Sequence, residues 1–174
     1  LYVLKLKAAY GQNGNDNIGD FLYTDLYNIN KGDGNDITLT LSSIGNENIT
    51  WETITNINLG VEFQMFNNRL RGSVEYFYRK TTDMLSWVTV PLELGYSGSY
   101  YNVGDMSNKG IEMELSGEPI VTKNFRWTVG ANLTAYKNEV LKLNDSNKFN
   151  TLDGHPGYTS GSYFYGEGLP MYTW

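Results

Sequence analysis

Glu52-Thr53-Ile54-Thr55-Asn56-Ile57-Asn58-Leu59-Gly60-Val61-Glu62-Phe63-Gln64-Met65-Phe66-Asn67-Asn68-Arg69-Leu70-Arg71-Gly72-Ser73-Val74-Glu75-Tyr76-Phe77-Tyr78 is the stretch that decides the fold. Its side chains alternate with a period of two, the mark of an extended strand whose two faces meet different surroundings. Up to Met65 one face carries Thr53, Thr55, Ile57, Leu59, Val61, Phe63 and Met65, and the other carries Glu52, Asn56, Asn58, Glu62 and Gln64. After Asn67-Asn68 the pattern resumes, with Leu70, Gly72, Val74, Tyr76 and Tyr78 set against Arg69, Arg71, Ser73, Glu75 and Arg79. Asn tolerates the positive φ that a tight turn requires, so Asn67-Asn68 closes a hairpin.

Outward from this hairpin the same alternation recurs three times. Leu4, Leu6, Ala8 and Tyr10 alternate with Lys5 and Lys7. Ile111, Met113 and Leu115 alternate with Glu112, Glu114 and Ser116. Phe125, Trp127, Val129, Ala131, Leu133 and Ala135 alternate with Arg126, Thr128, Asn132 and Thr134. The expected strands run ~10 to 14 residues, longer than the ~5 to 6 usual in soluble sheets. They are long enough to cross a hydrocarbon layer at a tilt, which takes ~9 to 11 residues.

The connections alternate in length too. Asn67-Asn68 and Thr122-Lys123-Asn124 are tight turns, whereas roughly 11–50, 81–108 and 138–174 are long links rich in Gly, Asn, Asp, Ser and Tyr. Short turns at one end and long loops at the other mark an outer-membrane barrel, with the short side periplasmic. Phe63, Phe66, Phe125 and Trp127 fall near the short turns, and Tyr10, Tyr76, Tyr78 and Tyr136 near the long loops, as two interfacial aromatic bands would. Periodicity alone leaves a second architecture open, in which the apolar face packs on another sheet in a soluble β-sandwich. Strand length and loop asymmetry favour the barrel.

Composition narrows the function. The 174 residues contain 14 Tyr and 19 Gly, no Cys, one His and a formal net charge of −6. An acidic balance argues against nucleic acid, whose binding rests on Lys and Arg neutralising phosphates. No window approaches the ~20 apolar residues of a helical span, yet mild hydropathy is what alternating barrel strands average to. His155 lacks an evident nucleophile or orienting partner, and no phosphate-cradling glycine loop followed by Lys and Ser/Thr is present, so the chain reads as no enzyme. It opens on Leu1 in a strand-like run and stops at Trp174 just past Gly168-Leu169-Pro170-Met171-Tyr172, as a piece of a longer protein would.

Five collinear segments carry a family resemblance. They are Leu4 to Asn15, Gly45-Asn46-Glu47-Asn48-Ile49-Thr50-Trp51-Glu52-Thr53, Phe66 to Tyr78, Asn102-Val103-Gly104-Asp105-Met106-Ser107-Asn108-Lys109-Gly110-Ile111-Glu112, and Gly166-Glu167-Gly168-Leu169-Pro170. Together they resemble the C-terminal part of the barrel in SusC/RagA-type TonB-dependent transporters. The resemblance implies residues 1–174 as part of a barrel of about 22 strands with a plugged lumen, this chain supplying about five strands and no plug domain. It further implies a bacterial outer-membrane location and contact with lipid. A SusD-like surface lipoprotein would act as lid, an inner-membrane TonB complex as energy source, and oligosaccharides or oligopeptides as cargo. None of the resembling motifs is catalytic.

Substrate contacts are expected from the tyrosine-rich long loops, at Tyr96, Tyr100, Tyr101, Tyr158, Tyr163 and Tyr165, because an aromatic face stacks on a sugar ring while the hydroxyl hydrogen-bonds. Asp33-Gly34-Asn35-Asp36 offers close oxygens to a hard cation such as Ca²⁺, with Asp33, Asn35 and Asp36 as candidate ligands. The run lacks the bidentate Glu of a complete calcium loop and reads first as a solvated turn, with no other cofactor expected. Two rivals remain beside import: a barrel scaffold or receptor subunit of a larger outer-membrane complex, and a soluble β-sandwich carbohydrate-binding module.

Overall fold

The computed structural model describes residues 2–15, 19–32 and 36–173. The strands are β1 (Val3–Asn15), β2 (Leu26–Lys31), β3 (Ile37–Ser43), β4 (Glu52–Met65), β5 (Leu70–Thr89), β6 (Gly98–Val121), β7 (Arg126–Leu143), β8 (Asn150–Leu152), β9 (His155–Ser160) and β10 (Tyr163–Gly166). Five of them form an antiparallel sheet in the order β1-β4-β5-β6-β7, which does not close on itself. β2 and β3 pair as a separate hairpin, and β10-β9-β8 make a small third sheet. The chain divides into two compact units, one of Leu1–Asn13, Ile54–Lys80 and Ser107–Glu139, the other of Gly14–Thr53, Thr81–Met106 and Val140–Trp174.

In the first unit, side-chain and backbone ties set the register. Gln12 Nε2 donates to Thr55 Oγ1 at 3.1 Å, Arg79 Nε to Asn56 Oδ1 at 2.9 Å and Asn138 Nδ2 to Asn108 Oδ1 at 2.6 Å. Glu118 N donates to Arg69 O at 2.7 Å, and the Phe77 ring covers Gly110. Antiparallel pairing then places Tyr10, Ile57, Tyr78, Lys109 and Lys137 in one row across the five strands. The next rows towards the tight turns are Ala8, Leu59, Tyr76, Ile111, Ala135, then Leu6, Val61, Val74, Met113, Leu133, then Leu4, Phe63, Gly72, Leu115, Ala131. Apart from Lys109 and Lys137, which continue the same parity, every one of these residues is on the face read as apolar from the sequence. That face is uncovered among the described residues, with Leu59, Val74 and Leu133 at 50%, 37% and 62% exposure. A sandwich would need a second layer over these residues.

The opposite face is polar and internally paired. Lys5 and Lys7 both reach Glu62, and Arg71 and Arg126 flank Glu118 at 3.6 and 3.5 Å. Both tight turns form as expected. Phe66, Asn67 and Asn68 take φ of 54°, 54° and 67°, and Arg69 N closes the turn on Phe66 O at 3.2 Å. Phe125 N donates to Thr122 Oγ1 at 3.0 Å while Thr122 N donates to Phe125 O at 2.8 Å. Gly72 leaves room for the Phe63 ring, whose Cζ would stand 2.5 Å from any Cβ added there.

Two expectations need correction. The strands outrun the sequence pattern, reaching 20 residues in β5, 24 in β6 and 18 in β7. The link expected over 81–108 therefore shrinks to 90–97, and the link over 138–174 contains the end of β7 and the β8–β10 sheet. Alternation fades past Lys80 because Asp83 takes a left-handed φ of 54°, interrupting the pleat, and because apolar residues then occupy both parities, Leu85 and Trp87 standing between the buried Met84 and Val88. Tyr136, expected in the aromatic band on the apolar face, instead stands with Phe77 beside Gly110 on the polar face.

In the second unit, Met84, Val88 and Val103 form one small core and Val140, Leu143 and Tyr158 another, and Met171 packs against both.

Candidate functional site

The second unit owes its form to side chains that substitute for regular strand pairing. The Asn102 amide treats Thr50 as a strand partner would: its Oδ1 accepts from Thr50 N at 3.0 Å and its Nδ2 donates to Thr50 O at 2.9 Å. The same Nδ2 donates to Asp83 O at 2.8 Å, and Asn144 Nδ2 donates to the Asn102 carbonyl. Glu52 Oε2 accepts from Leu85 N at 3.2 Å. Gly104 has no room for a side chain, since a Cβ there would strike the Lys142 carbonyl.

Glu167 performs a similar office for the segment after β10. Its Oε1 accepts from Leu143 N at 2.8 Å and from Lys148 Nζ at 3.0 Å, while its own carbonyl accepts from His155 Nδ1 at 2.6 Å. The Leu143 amide, joined by Lys148, holds the Glu167 carboxyl below its ordinary range. Gly168 N donates to Val140 O at 2.8 Å and Val140 N to Leu169 O at 2.9 Å, which docks this segment on β7.

On this frame the tyrosines fall into two groups. Tyr158 and Tyr165 stack with centroids 5.1 Å apart at 10°, and Tyr172 stands edge-on to both Tyr163 and Tyr165 at 5.3 and 5.8 Å. Burial raises the Tyr158 hydroxyl pKa, and burial followed by the neighbouring Tyr172 and Tyr163 raises that of Tyr165. In the other group Tyr100 meets Trp87 edge-on at 5.3 Å, Tyr101 packs on the Met84–Val88–Val103 core and Tyr96 hydrogen-bonds Tyr101.

The six tyrosines singled out from the sequence are thus not equivalent. Tyr158 at 4% exposure and Tyr96 at 8% are core residues, out of reach of a ligand. Tyr100, Tyr101, Tyr163 and Tyr165 are half-buried. Two aromatics that sequence reasoning passed over complete the groups: Trp87, and Tyr172 at 56% exposure. Trp87 falls in the stretch that reads as a loop, and Tyr172 comes two residues after Pro170, so neither had a periodic signal. Asp33 and Asn35 lie outside the described residues; Asp36 is exposed, and its carbonyl accepts from Gly32 N at 2.9 Å.

A TonB dependent receptor-like, beta-barrel family model matches residues 3–173. The chain belongs to this family. TonB-dependent receptor P26 of Formosa agariphila is 33% identical over 98% of the chain, and TonB-dependent receptor SusC of Bacteroides thetaiotaomicron is 36% identical over 80%. The solved RagAB peptide importer in its closed-closed state superposes with a TM-score of 0.80 at 30% identity over 97% of the chain. The chain spans 18%, 15% and 18% of the respective lengths of these three. The SusC/RagA resemblance drawn from the five motifs therefore holds, and so does the antiparallel barrel-segment fold. Members of the TonB-dependent receptor family are transporters and receptors rather than enzymes, and in this chain Asn102, Gly104, Gly72 and Glu167 hold or make room for the backbone and its packing.

Proposed function

We propose that this chain is wall and outer loop surface of a TonB-dependent importer of oligosaccharides or oligopeptides in a bacterial outer membrane. The observation that carries the reading is the uncovered apolar face of the first unit. From Trp127 to Lys137 is ten residues, which at ~3.4 Å per residue and a tilt of ~45° rises ~24 Å, close to the ~25 Å apolar band of outer-membrane barrels. The polar face then lines the lumen. A SusD-like surface lipoprotein serves as lid, in keeping with the similarity to SusC and to the RagAB importer, and an inner-membrane TonB complex supplies energy through a plug region. The half-buried tyrosines, with Trp87 and Tyr172, are the surface offered to cargo, where rings stack on sugars or on peptide side chains. The chain performs no chemical turnover.

The test uses the full-length receptor in its native host, supplied with fluorescent oligosaccharides and oligopeptides in parallel. Uptake of either class, lost on deletion of the gene, supports import and names the cargo. Tyr172→Ala and Tyr100→Ala then lower uptake while surface levels of the receptor hold. A receptor that reaches the outer membrane yet leaves uptake of both classes unchanged on deletion would overturn import in favour of a scaffold or signalling role.

A further inference from the structure

We infer that Lys109 and Lys137 form a binding site for the phosphate of a membrane lipid headgroup, on the outer wall of the barrel at the long-loop end of its apolar band. Three observations converge on this pair. First, the register places the two lysines directly across from each other on adjacent strands. Asn108 bonds Asn138 on the polar face, and Gly110 lies against Tyr136, so the residues between them, Lys109 and Lys137, are cross-strand partners on the opposite face. Like charges in that position repel and weaken a sheet unless an anion lies between them.

Second, the protein compensates only part of this charge. Lys137 Nζ pairs with Glu139 at 2.8 Å, and Lys109, itself exposed, acts on the same carboxylate. Among the described residues two cations therefore share one anion. Third, the pair marks a boundary. On the apolar side of its row stand Tyr76, Ile111 and Ala135, and on the other side Gln12, Thr55, Lys80, Ser107 and Glu139. The change from apolar to polar comes at the same level on all five strands, with Tyr10 and Tyr78 in the row itself, as interfacial tyrosines are. Headgroup phosphates lie at that level, and lysine attracts them as a mobile point charge on a long apolar stem. The occupant is anionic because the excess is cationic, and lipidic because the stems rise from the hydrocarbon-facing side.

The inference rests on the membrane placement, and its failure is distinguishable from failure of that placement. Full-length receptor purified in detergent is incubated with lipid A carrying its phosphates, and separately with dephosphorylated lipid A, and retained lipid is counted by native mass spectrometry. The phosphorylated form should be retained preferentially. Lys109→Gln with Lys137→Gln should lower its retention about 30-fold, the equivalent of ~2 kcal/mol for two lysines near an anionic surface, whereas Lys109→Arg with Lys137→Arg keeps it. Migration of the unheated barrel on a gel checks that each variant is folded. Equal retention of the two lipid forms by the unaltered receptor overturns the site without recourse to any variant, and so does unchanged retention in a folded Gln pair. A receptor soluble without detergent would instead defeat the membrane placement itself.

Discussion

Leu133→Lys separates a lipid-facing wall from any other use of the apolar face. Leu133 lies four residues from Lys137, a rise of ~10 Å within a band of ~24 Å, which puts it near the midplane of the hydrocarbon. A lysine on the lipid face of a barrel costs ~2–4 kcal/mol at that depth. The ratio of folded to unfolded receptor should fall roughly 30-fold at the low end and several-hundred-fold at the high end, since ~1.4 kcal/mol is tenfold. The control is one residue away. Asn132 points to the opposite face, near Glu112, Glu114 and Thr134, so Asn132→Lys gains acidic neighbours and should shift stability by less than about 0.5 kcal/mol. Full-length receptor folded into phospholipid vesicles is titrated with urea, and the folded fraction is read from the fast-migrating band of unheated samples. Equal costs for the two substitutions, or a larger cost for Asn132→Lys, would refute the assignment of faces and with it the barrel wall.

Three further outcomes follow from the ties in the two units. Asn102→Ala removes three side-chain bonds to Thr50 and Asp83, each worth about 1 kcal/mol, and should speed hydrogen exchange of the Thr50 amide at least tenfold; unchanged exchange would show those bonds to be inert. Gly72→Ala drives a Cβ into the Phe63 ring and should cost ~1–3 kcal/mol, most of it recovered when Phe63→Leu is added, whereas purely additive costs would mean that the ring does not occupy the glycine. The Glu167 carboxyl is held below its ordinary value of 4.5, so the stability it supplies is present above that pH and is lost as pH falls through the lowered value. The protection factor of the Leu143 amide, its exchange rate corrected for the intrinsic pH dependence of amide exchange, should therefore fall on acidification below about pH 4.5 in the native protein and stay level in Glu167→Gln; a matching acid response in both would place its origin elsewhere.

The barrel strands were legible where their two faces differ. Thr55 to Met65, Leu70 to Tyr78, Ile111 to Leu115 and Trp127 to Ala135 alternate because one face needs apolar side chains and the other tolerates Glu62, Glu75 and Glu112. Past Lys80 that contrast disappears. Met84 and Val88 on β5 and Val103 on β6 are packed in a small core, so parity no longer sorts polar from apolar, and the same stretch reads as loop. The tight turns were legible for a different reason: Asn67 and Asn68 must take positive φ, and few residues other than Gly do so as readily. Tyr136 was misplaced because its position near a long loop suggested an interfacial band, although its even number put it with Thr134 and Asn132 all along.

The motifs that carry the family resemblance explain why the cargo was not legible. Each is accounted for by backbone: Asn102 pairs with Thr50, Gly104 yields to the Lys142 carbonyl, Gly110 and Gly72 yield to aromatic rings, and Glu167 secures Leu143. Residues with such duties are dictated by the course of the chain and carry no information on cargo. Under the proposed import, cargo is to be met instead by side chains that the backbone does not constrain. The tyrosines divide along that line. Tyr158 and Tyr96 are core, fixed by packing, while Tyr172, edge-on to Tyr163 and Tyr165, and Trp87, edge-on to the half-buried Tyr100, are open to solvent. Substituting the open set should change which molecules are imported without touching the fold, whereas substituting Tyr158 should damage the fold first. Specificity in this chain is therefore to be sought at the aromatics that the family motifs omit.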